Sequence, residues 1–258
     1  IDSKLKTEPQ YRVNLFHINA DQLEIALGNL GLDILQNCYN IGYWAWELPE
    51  LPAEWAIASR YLDAIWTPSH FCKQSIEKQV DVPVHVFPHA VWRDKNAEDG
   101  HLDINIDFSK YSFCTMFDCL SVPERKNVQA TIEAFELAFA EPTDVQLLIK
   151  VVNLNSESKF SNYLKEKIKA NNAIKLLPQY MNRDEIYKFL GQSDCFVSLH
   201  RSEGFGLAIA EAMLLGKPVI TTNWSGNTDF CDSENTFLVE YDLIKLVQDY
   251  GPYKKGQI

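Results

Sequence analysis

Two carboxylates stand eight positions apart, Glu203 and Glu211, inside the stretch D-C-F-V-S-L-H-R-S-E-G-F-G-L-A-I-A-E-A-M-L-L-G-K-P-V-I-T-T-N-W-S-G from Asp194 to Gly226. A glycosidase pair flanks one bond at about 5 to 9.5 Å, whereas eight residues of helix span about 12 Å. The spacing suits the two ends of one elongated ligand with an anionic middle: a sugar, a diphosphate and a nucleoside. Glu211 is the only polar side chain between Leu207 and Leu215, and a helix apolar on its other sides is buried on them. A carboxylate buried there without a partner is costly. It accepts hydrogen bonds from something specific, such as vicinal ribose hydroxyls, or it lies on a narrow solvated stripe, or it is bonded to neighbouring backbone. A second chemical set is the basic pair Arg125 and Lys126 in D-C-L-S-V-P-E-R-K-N, residues 118 to 127. Two cations at a helix start call for a compensating anion; the alternative is two solvated side chains.

The elements around these residues follow from local pattern. Cys195 to Leu199 is a short apolar run that fits a buried parallel strand, and Leu207 to Leu215 fits a buried helix. Glu203-Gly204-Phe205-Gly206 forms the turn between them, where residues without Cβ let the backbone approach a ligand. Gly216 ends the helix, Pro218 prevents its continuation, and Val219 to Thr222 restarts as a strand. The unit is βαβ, and the free N–H groups and partial positive charge at such a helix start bind anions.

The composite E-G-F-G-L-A-I-A-E, then G-K-P-V-I, then S-G-N resembles the donor-site signature of the retaining glycosyltransferases of family 4, or group 1, which have the GT-B fold of two Rossmann-like parallel-sheet domains. The resemblance implies that Glu203 faces the donor sugar, with Ser202 beside it. It places the backbone of Gly204, Phe205, Gly206 and Leu207 against sugar and phosphate, and the ribose on Glu211. It implies that a basic pair in the 118–127 loop holds the diphosphate and stabilises the leaving group. Lys126 matches the family lysine, but Ser121 stands where the family's arginine usually lies, so that role passes to Arg125 by adjacency. The base is expected near Leu177 to Tyr180, with Tyr180 stacking on it or simply packing. On the acceptor side the resemblance points to His17, Asn19, Trp46 and Glu47 at strand ends, Trp44 and Trp46 offering a sugar face unless they pack in the core.

The rest of the chain gives an α/β order on both sides of that signature. Strands are expected at Tyr11 to Ile18, Asn40 to Trp46, Ile65 to Pro68 and Val82 to Phe87, with Leu23 to Leu35 helical in its first half but interrupted by Gly28 and Gly31, and helices at Ala53 to Ala64 and from a Ser69 cap through Val80. Asn19-Ala20-Asp21 reads as a helix cap. Residues 1–92 make a partial N-terminal domain, 93–110 a charged linker, and 111–258 the donor domain. The donor domain has strands at Tyr111 to Phe117, Val145 to Val152, Ala173 to Leu177 and Thr236 to Val239. Its helices are at Val128 to Ala140, Ser158 to Ala170 and from Asn182 to Gly191. Family members are longer, so the resemblance implies missing structure before Val13 and after Ile258, with the N-terminal domain incomplete.

Composition bounds the partners. With 258 residues, 46% hydrophobic and 23% charged, the chain has an ordinary globular make-up, and no apolar run long enough to span a bilayer. Its formal charge of −11 argues against nucleic acid and for at most peripheral membrane contact. Six cysteines without C-x-x-C or zinc spacing read as reduced thiols of a cytoplasmic protein. No metal and no cofactor are expected beyond the nucleotide diphosphate sugar, because cationic side chains and a helix N-terminus can hold the diphosphate. The expected function is transfer of a sugar, with retention at the anomeric carbon, to a glycan or lipid-linked acceptor in polysaccharide biosynthesis. A GT-B sugar-nucleotide epimerase and a non-catalytic sugar-nucleotide-binding subunit are the alternatives.

Overall fold

The computed structural model describes residues 11–93, 102, 104–139, 144–155 and 157–258. It divides into two compact units. The first runs to His89 and takes in Glu203–Phe205; the second comprises Ala90–Ser202 and Gly206–Gln257.

In the first unit, β1 (Val13–Phe16), β2 (Tyr39–Tyr43), β3 (Ala64–Thr67) and β4 (Val84–Val86) form a parallel sheet in sequential order. Helix α1 (Ala20–Leu30) follows β1 and buries Ala20, Leu23 and Leu27. The interruption expected in 23–35 falls at Gly31, which adopts φ 85° and is followed by a separate 3-10 turn, Leu32–Leu35, whereas Gly28 stays inside α1. The expected helix over 53–64 is likewise shorter: α2 (Ala53–Ala56) tightens into a 3-10 turn, Ile57–Tyr61, and Leu62 is extended. Leu62 leads the chain to β3, and the bond from Asp63 N to Asn40 O (2.7 Å) fixes the entry at Ala64. Ser69 caps α3 (His70–Ile76) as its type predicts, accepting from Cys72 N. Asn19 occupies the cap position of α1 without capping it; its Oδ1 accepts from Ala45 N at 2.8 Å instead.

The second unit contains β5 (Tyr111–Asp118), α4 (Pro123–Lys126), α5 (Val128–Ala138), β6 (Val145–Val152), α6 (Lys159–Ala170), β7 (Ile174–Leu177), α7 (Arg183–Gln192), β8 (Cys195–Ser198), α8 (Leu207–Leu214), β9 (Val219–Thr222) and β10 (Phe237–Val239). All six strands are parallel, in the order β10-β9-β8-β5-β6-β7. The chain builds outward from β5 through β6 and β7, then returns to β8 on the other side. The carboxyl ends of β5 and β8 therefore flank a topological switch point, where open α/β sheets bind ligands.

Strand β6 shows why the sheet is stable. Its residues alternate between two cores: Leu147, Ile149 and Val151 pack with Val128, Ile132 and Phe135 of α5 and Leu164 of α6. Leu148 faces the opposite core with Phe189 and Leu190 of α7 and Ile209 and Ala212 of α8. Buried on both faces, such a strand reads as one continuous apolar run. Gln146 and Lys150 are the polar exceptions within it, each 2% exposed, and Lys150 is its one charge. The described part of the expected linker packs on this unit, Leu102 being buried in its core with Ile104, Ile106 and Phe108 against it; residues 94–101 and 103 lie outside the described residues. Among the described residues no helix is long and apolar enough to cross a membrane.

Candidate functional site

The loop after β5 is tied down before it reaches the basic pair. Asp118 Oδ1 accepts from Leu120 N (2.9 Å) and from Asn153 Nδ2 (2.8 Å). Val122, at φ 58°, and Asn127, at φ 52°, are both left-handed, and Pro123 starts a four-residue turn of helix between them. Arg125 and Lys126 thus lie in the last turn of α4, ahead of α5, and not at the start of a long helix as their sequence position suggests. A helix C-terminus tolerates cations, so the pair does not require an anion on that ground alone. What marks the pair is its attachment: Arg125 O accepts from Arg201 N, Arg125 donates from a terminal guanidinium nitrogen to Ser202 O, and Asn127 Nδ2 donates to Leu199 O, each at 2.8 Å. The cationic turn after β5 and the exit of β8 are laced together.

Gly206 opens α8 at φ 90°, and no side chain caps that helix. A Cβ at Gly206 would stand 3.1 Å from Ile209 Cδ1 and 3.3 Å from Asn227 Cβ. Asn227 is fully buried and held from both ends of its amide, Nδ2 donating to Thr222 O at 3.0 Å and Oδ1 lying 3.0 Å from His200 Nε2. His200 is buried too, its other ring nitrogen 3.1 Å from Ser198 Oγ. This network sets the S-G-N turn against the start of α8. Neither His200 nor the amide of Asn227 was legible as a site residue, since a histidine after an apolar strand has no motif of its own.

Glu211 is 4% exposed in its side chain and pairs with Arg183 at 2.8 Å, the arginine being 54% exposed. Of the alternatives open in the sequence, a solvated stripe and a backbone bond are both excluded; the partner is a cation from the first turn of α7. Burial pushes the Glu211 carboxyl up, and Arg183 acts against that rise. Arg183 had one signal, a cation directly after the Asn182 cap where acidic residues are favoured. Its guanidinium also lies over the Tyr187 ring, 5.2 Å from the centroid. Tyr180, past the end of β7, is 82% exposed. Leu207 is exposed at the first position of α8.

In the first unit, His17 stacks on Tyr43 with centroids 4.5 Å apart, and Tyr43 Oη donates to Phe87 O (2.8 Å) and lies 3.2 Å from His89 Nδ1. Burial raises the Tyr43 hydroxyl to about 12 and lowers His89, with His17 adding to the latter shift. Trp44 and Trp46 are each 1% exposed. Trp46 donates its indole N–H to Glu50 O at 2.8 Å and packs edge-on against Trp55. Of the two readings open for the aromatic pair, a sugar face and core packing, burial selects the core. Glu47 is half-buried and Asn19 exposed. Glu203–Phe205 packs within this unit: Ser69 Oγ donates to Gly204 O at 2.6 Å, and Phe205 meets His89 edge-on at 5.2 Å. Among the described residues no group of three or more His, Cys, Asp or Glu could hold a metal ion.

Residues 121–246 match the family described as Glycosyl transferases group 1. No curated protein sequence matches the chain. Among solved structures, the apo structure of OtsA superimposes with a TM-score of 0.70 at 11% identity, covering 92% of this chain and 62% of that one. A UDP-forming alpha,alpha-trehalose-phosphate synthase from Burkholderia xenovorans gives 0.65 at 12% identity, covering 92% and 63%. Anabaena Alr3699/HepE in complex with UDP and glucose gives 0.67 at 15%, covering 89% and 64%. The chain thus spans less than two thirds of these structures' own length, and at such identities the likeness is one of fold. Two parallel-sheet α/β units with these neighbours give the GT-B fold, and the family match covers just under half of the chain.

Proposed function

We propose that this chain carries the donor site of a retaining, metal-independent family 4 glycosyltransferase that moves a sugar from a nucleoside diphosphate sugar to a glycan or lipid-linked acceptor in the cytoplasm. The observation that carries the reading is the lacing of Arg125 and Asn127 onto Leu199, Arg201 and Ser202, which fixes a cationic turn beside the chain leading to the uncapped start of α8. In the reaction the bond from the anomeric carbon to the β-phosphate oxygen breaks and a bond to the acceptor hydroxyl oxygen forms on the same face. The hydroxyl proton passes to the leaving diphosphate. Negative charge grows on that diphosphate, and Arg125, Lys126 and the N–H groups at Gly206 and Leu207 oppose it. Glu203 takes the sugar hydroxyls. Glu211, already charge-paired with Arg183, presents a fixed carboxylate to the ribose. The acceptor contacts are assigned to His17, Asn19 and Glu47.

UDP in the HepE complex makes UDP the first probe. Calorimetry with UDP and with uridine on wild type and Lys126→Ala is expected to show about a tenfold or greater loss for UDP, the usual scale for a charged hydrogen bond, and little change for uridine. Equal loss for both would remove Lys126 from the diphosphate. For the chemistry, NMR of the product formed from UDP-glucose should show the donor's anomeric configuration, and inversion would overturn the retaining mechanism.

A further inference from the structure

The second unit buries a cation that neither the fold nor the diphosphate site uses. Lys150 lies near the carboxyl end of β6, in register with Met116 of β5 and Leu177 of β7, both apolar. It points to the same sheet face as Leu148, the face covered by α7 and α8, because alternate strand residues share a face. It is 2% exposed. Among the described residues its one hydrogen bond is from Nζ to Val151 O at 3.3 Å, and it has no carboxylate partner there. Burial alone lowers its affinity for its proton, with no charged neighbour contributing. A buried ammonium flanked by Met and Leu is retained at a cost unless something outside the chain accepts its protons.

Its place says what that acceptor is. The pairing of β7 to β6 ends at Leu177 opposite Lys150, while β6 continues to Val152, so Lys150 stands where the sheet edge opens. Glu211 of α8 and Arg183 of α7 lie on the same side of the sheet. On the reading proposed above, phosphates lie between the last turn of α4, which carries Arg125 and Lys126, and the start of α8, by β5 and β8, and the ribose lies on Glu211. The base then extends away from the phosphates toward β6 and β7. We infer that Lys150 recognises the base of the donor nucleotide, donating from Nζ to an exocyclic carbonyl oxygen, and so selects uracil or guanine over adenine. An ammonium only donates, and adenine presents an amino group where those bases present a carbonyl.

The inference rests on the donor-site reading, and the test separates the two. Calorimetry is run with UDP, GDP, ADP, UMP and uridine on wild type, Lys150→Met and Lys150→Gln, with circular dichroism as the check of folding. Wild type is expected to bind UDP or GDP at least about tenfold more tightly than ADP. Lys150→Met, unbranched and of similar length, should lose about ten- to a hundredfold for the preferred nucleotide, the range for a hydrogen bond to a charged group, and little for ADP. The same loss is expected with UMP and uridine, and Lys150→Gln should fall between the two. An unchanged preference in Lys150→Met overturns the inference while leaving the donor site intact. Loss for UDP without loss for uridine moves Lys150 to the phosphates and overturns it too. A wild type that prefers ADP overturns it without reference to any variant, and one that binds no nucleotide sinks the donor-site reading itself.

Discussion

The helices that follow the outer strands of the second unit begin differently from those that follow the inner ones. Helix α6, after β6, opens on Ser158, whose side chain accepts from Ser161 N; α7, after β7, opens on the reciprocal box of Asn182 and Glu185. Helix α5, reached from β5 through α4, and α8, after β8, open on the left-handed Asn127 and Gly206, and neither has a side-chain cap. A capped helix spends its first N–H groups on its own chain, whereas an uncapped one keeps them and its positive end for something else. The two open entrances follow β5 and β8, adjacent strands on either side of the switch point. On the proposed reading, stability and binding in this unit are divided between two pairs of helix starts.

The largest effect should come from closing an open entrance. Gly206→Ala would place a Cβ at φ 90°, a conformation costing an L-residue about 1–2 kcal/mol, and press it against Ile209 and Asn227. A fall in melting temperature is expected together with loss of UDP binding beyond tenfold, since the N–H groups would move with the turn. Unchanged UDP affinity in a folded Gly206→Ala protein would show that the open start of α8 is not used.

Glu211 sharpens the contrast, because it is a carboxylate kept inside at some expense. Its folded value is raised by burial, so between the ordinary glutamate range and that raised value the folded state holds the proton more than the unfolded state does. Stability should therefore rise as pH falls through that window. Glu211→Gln should remove this slope and leave melting at neutral pH unchanged or higher, while weakening UDP by about 1–3 kcal/mol. Thermal melts from pH 4 to 8 beside calorimetry decide it. A variant that melts lower at neutral pH and binds UDP normally would make the Arg183 pair purely structural.

How much of this was legible depended on whether the determinant was local. The unit from Cys195 to Thr222 could be drawn from apolar runs punctuated by Gly216 and Pro218, and the observed β8, α8 and β9 follow it within a residue. Ser69 and Asn182 announced their helices because a cap is a bond between close neighbours. The separate turn α4 was hidden, since it depends on a β-branched residue, Val122, held left-handed against its preference. The Glu211 partner was hidden by sequence distance. Trp46 stayed open between a ligand surface and the core because its position at a strand end says nothing of Glu50 O and Trp55, which enclose it. Lys150 sat in an apolar run that identified a strand and gave no hint that its charge would have no carboxylate partner among the described residues.

The smallest effect should come from opening a closed entrance. Ser158→Ala removes the oxygen that accepts from Ser161 N at 3.0 Å, and the loss of such a cap costs about 1 kcal/mol, within about 0.5–2. For a protein of this size that is about 2–4 °C in melting temperature. The N–H of Ser161 would then be as free as those of α8, yet it follows β6, and neither Arg125 nor Lys126 lies on that segment. UDP affinity should accordingly stay within a factor of about two, the level at which a remote surface substitution acts. If Ser158→Ala instead lowered UDP affinity as Gly206→Ala does, a nucleotide would be sensing all helix starts of the sheet alike. The division between capped and uncapped entrances would then describe the fold without locating the ligand.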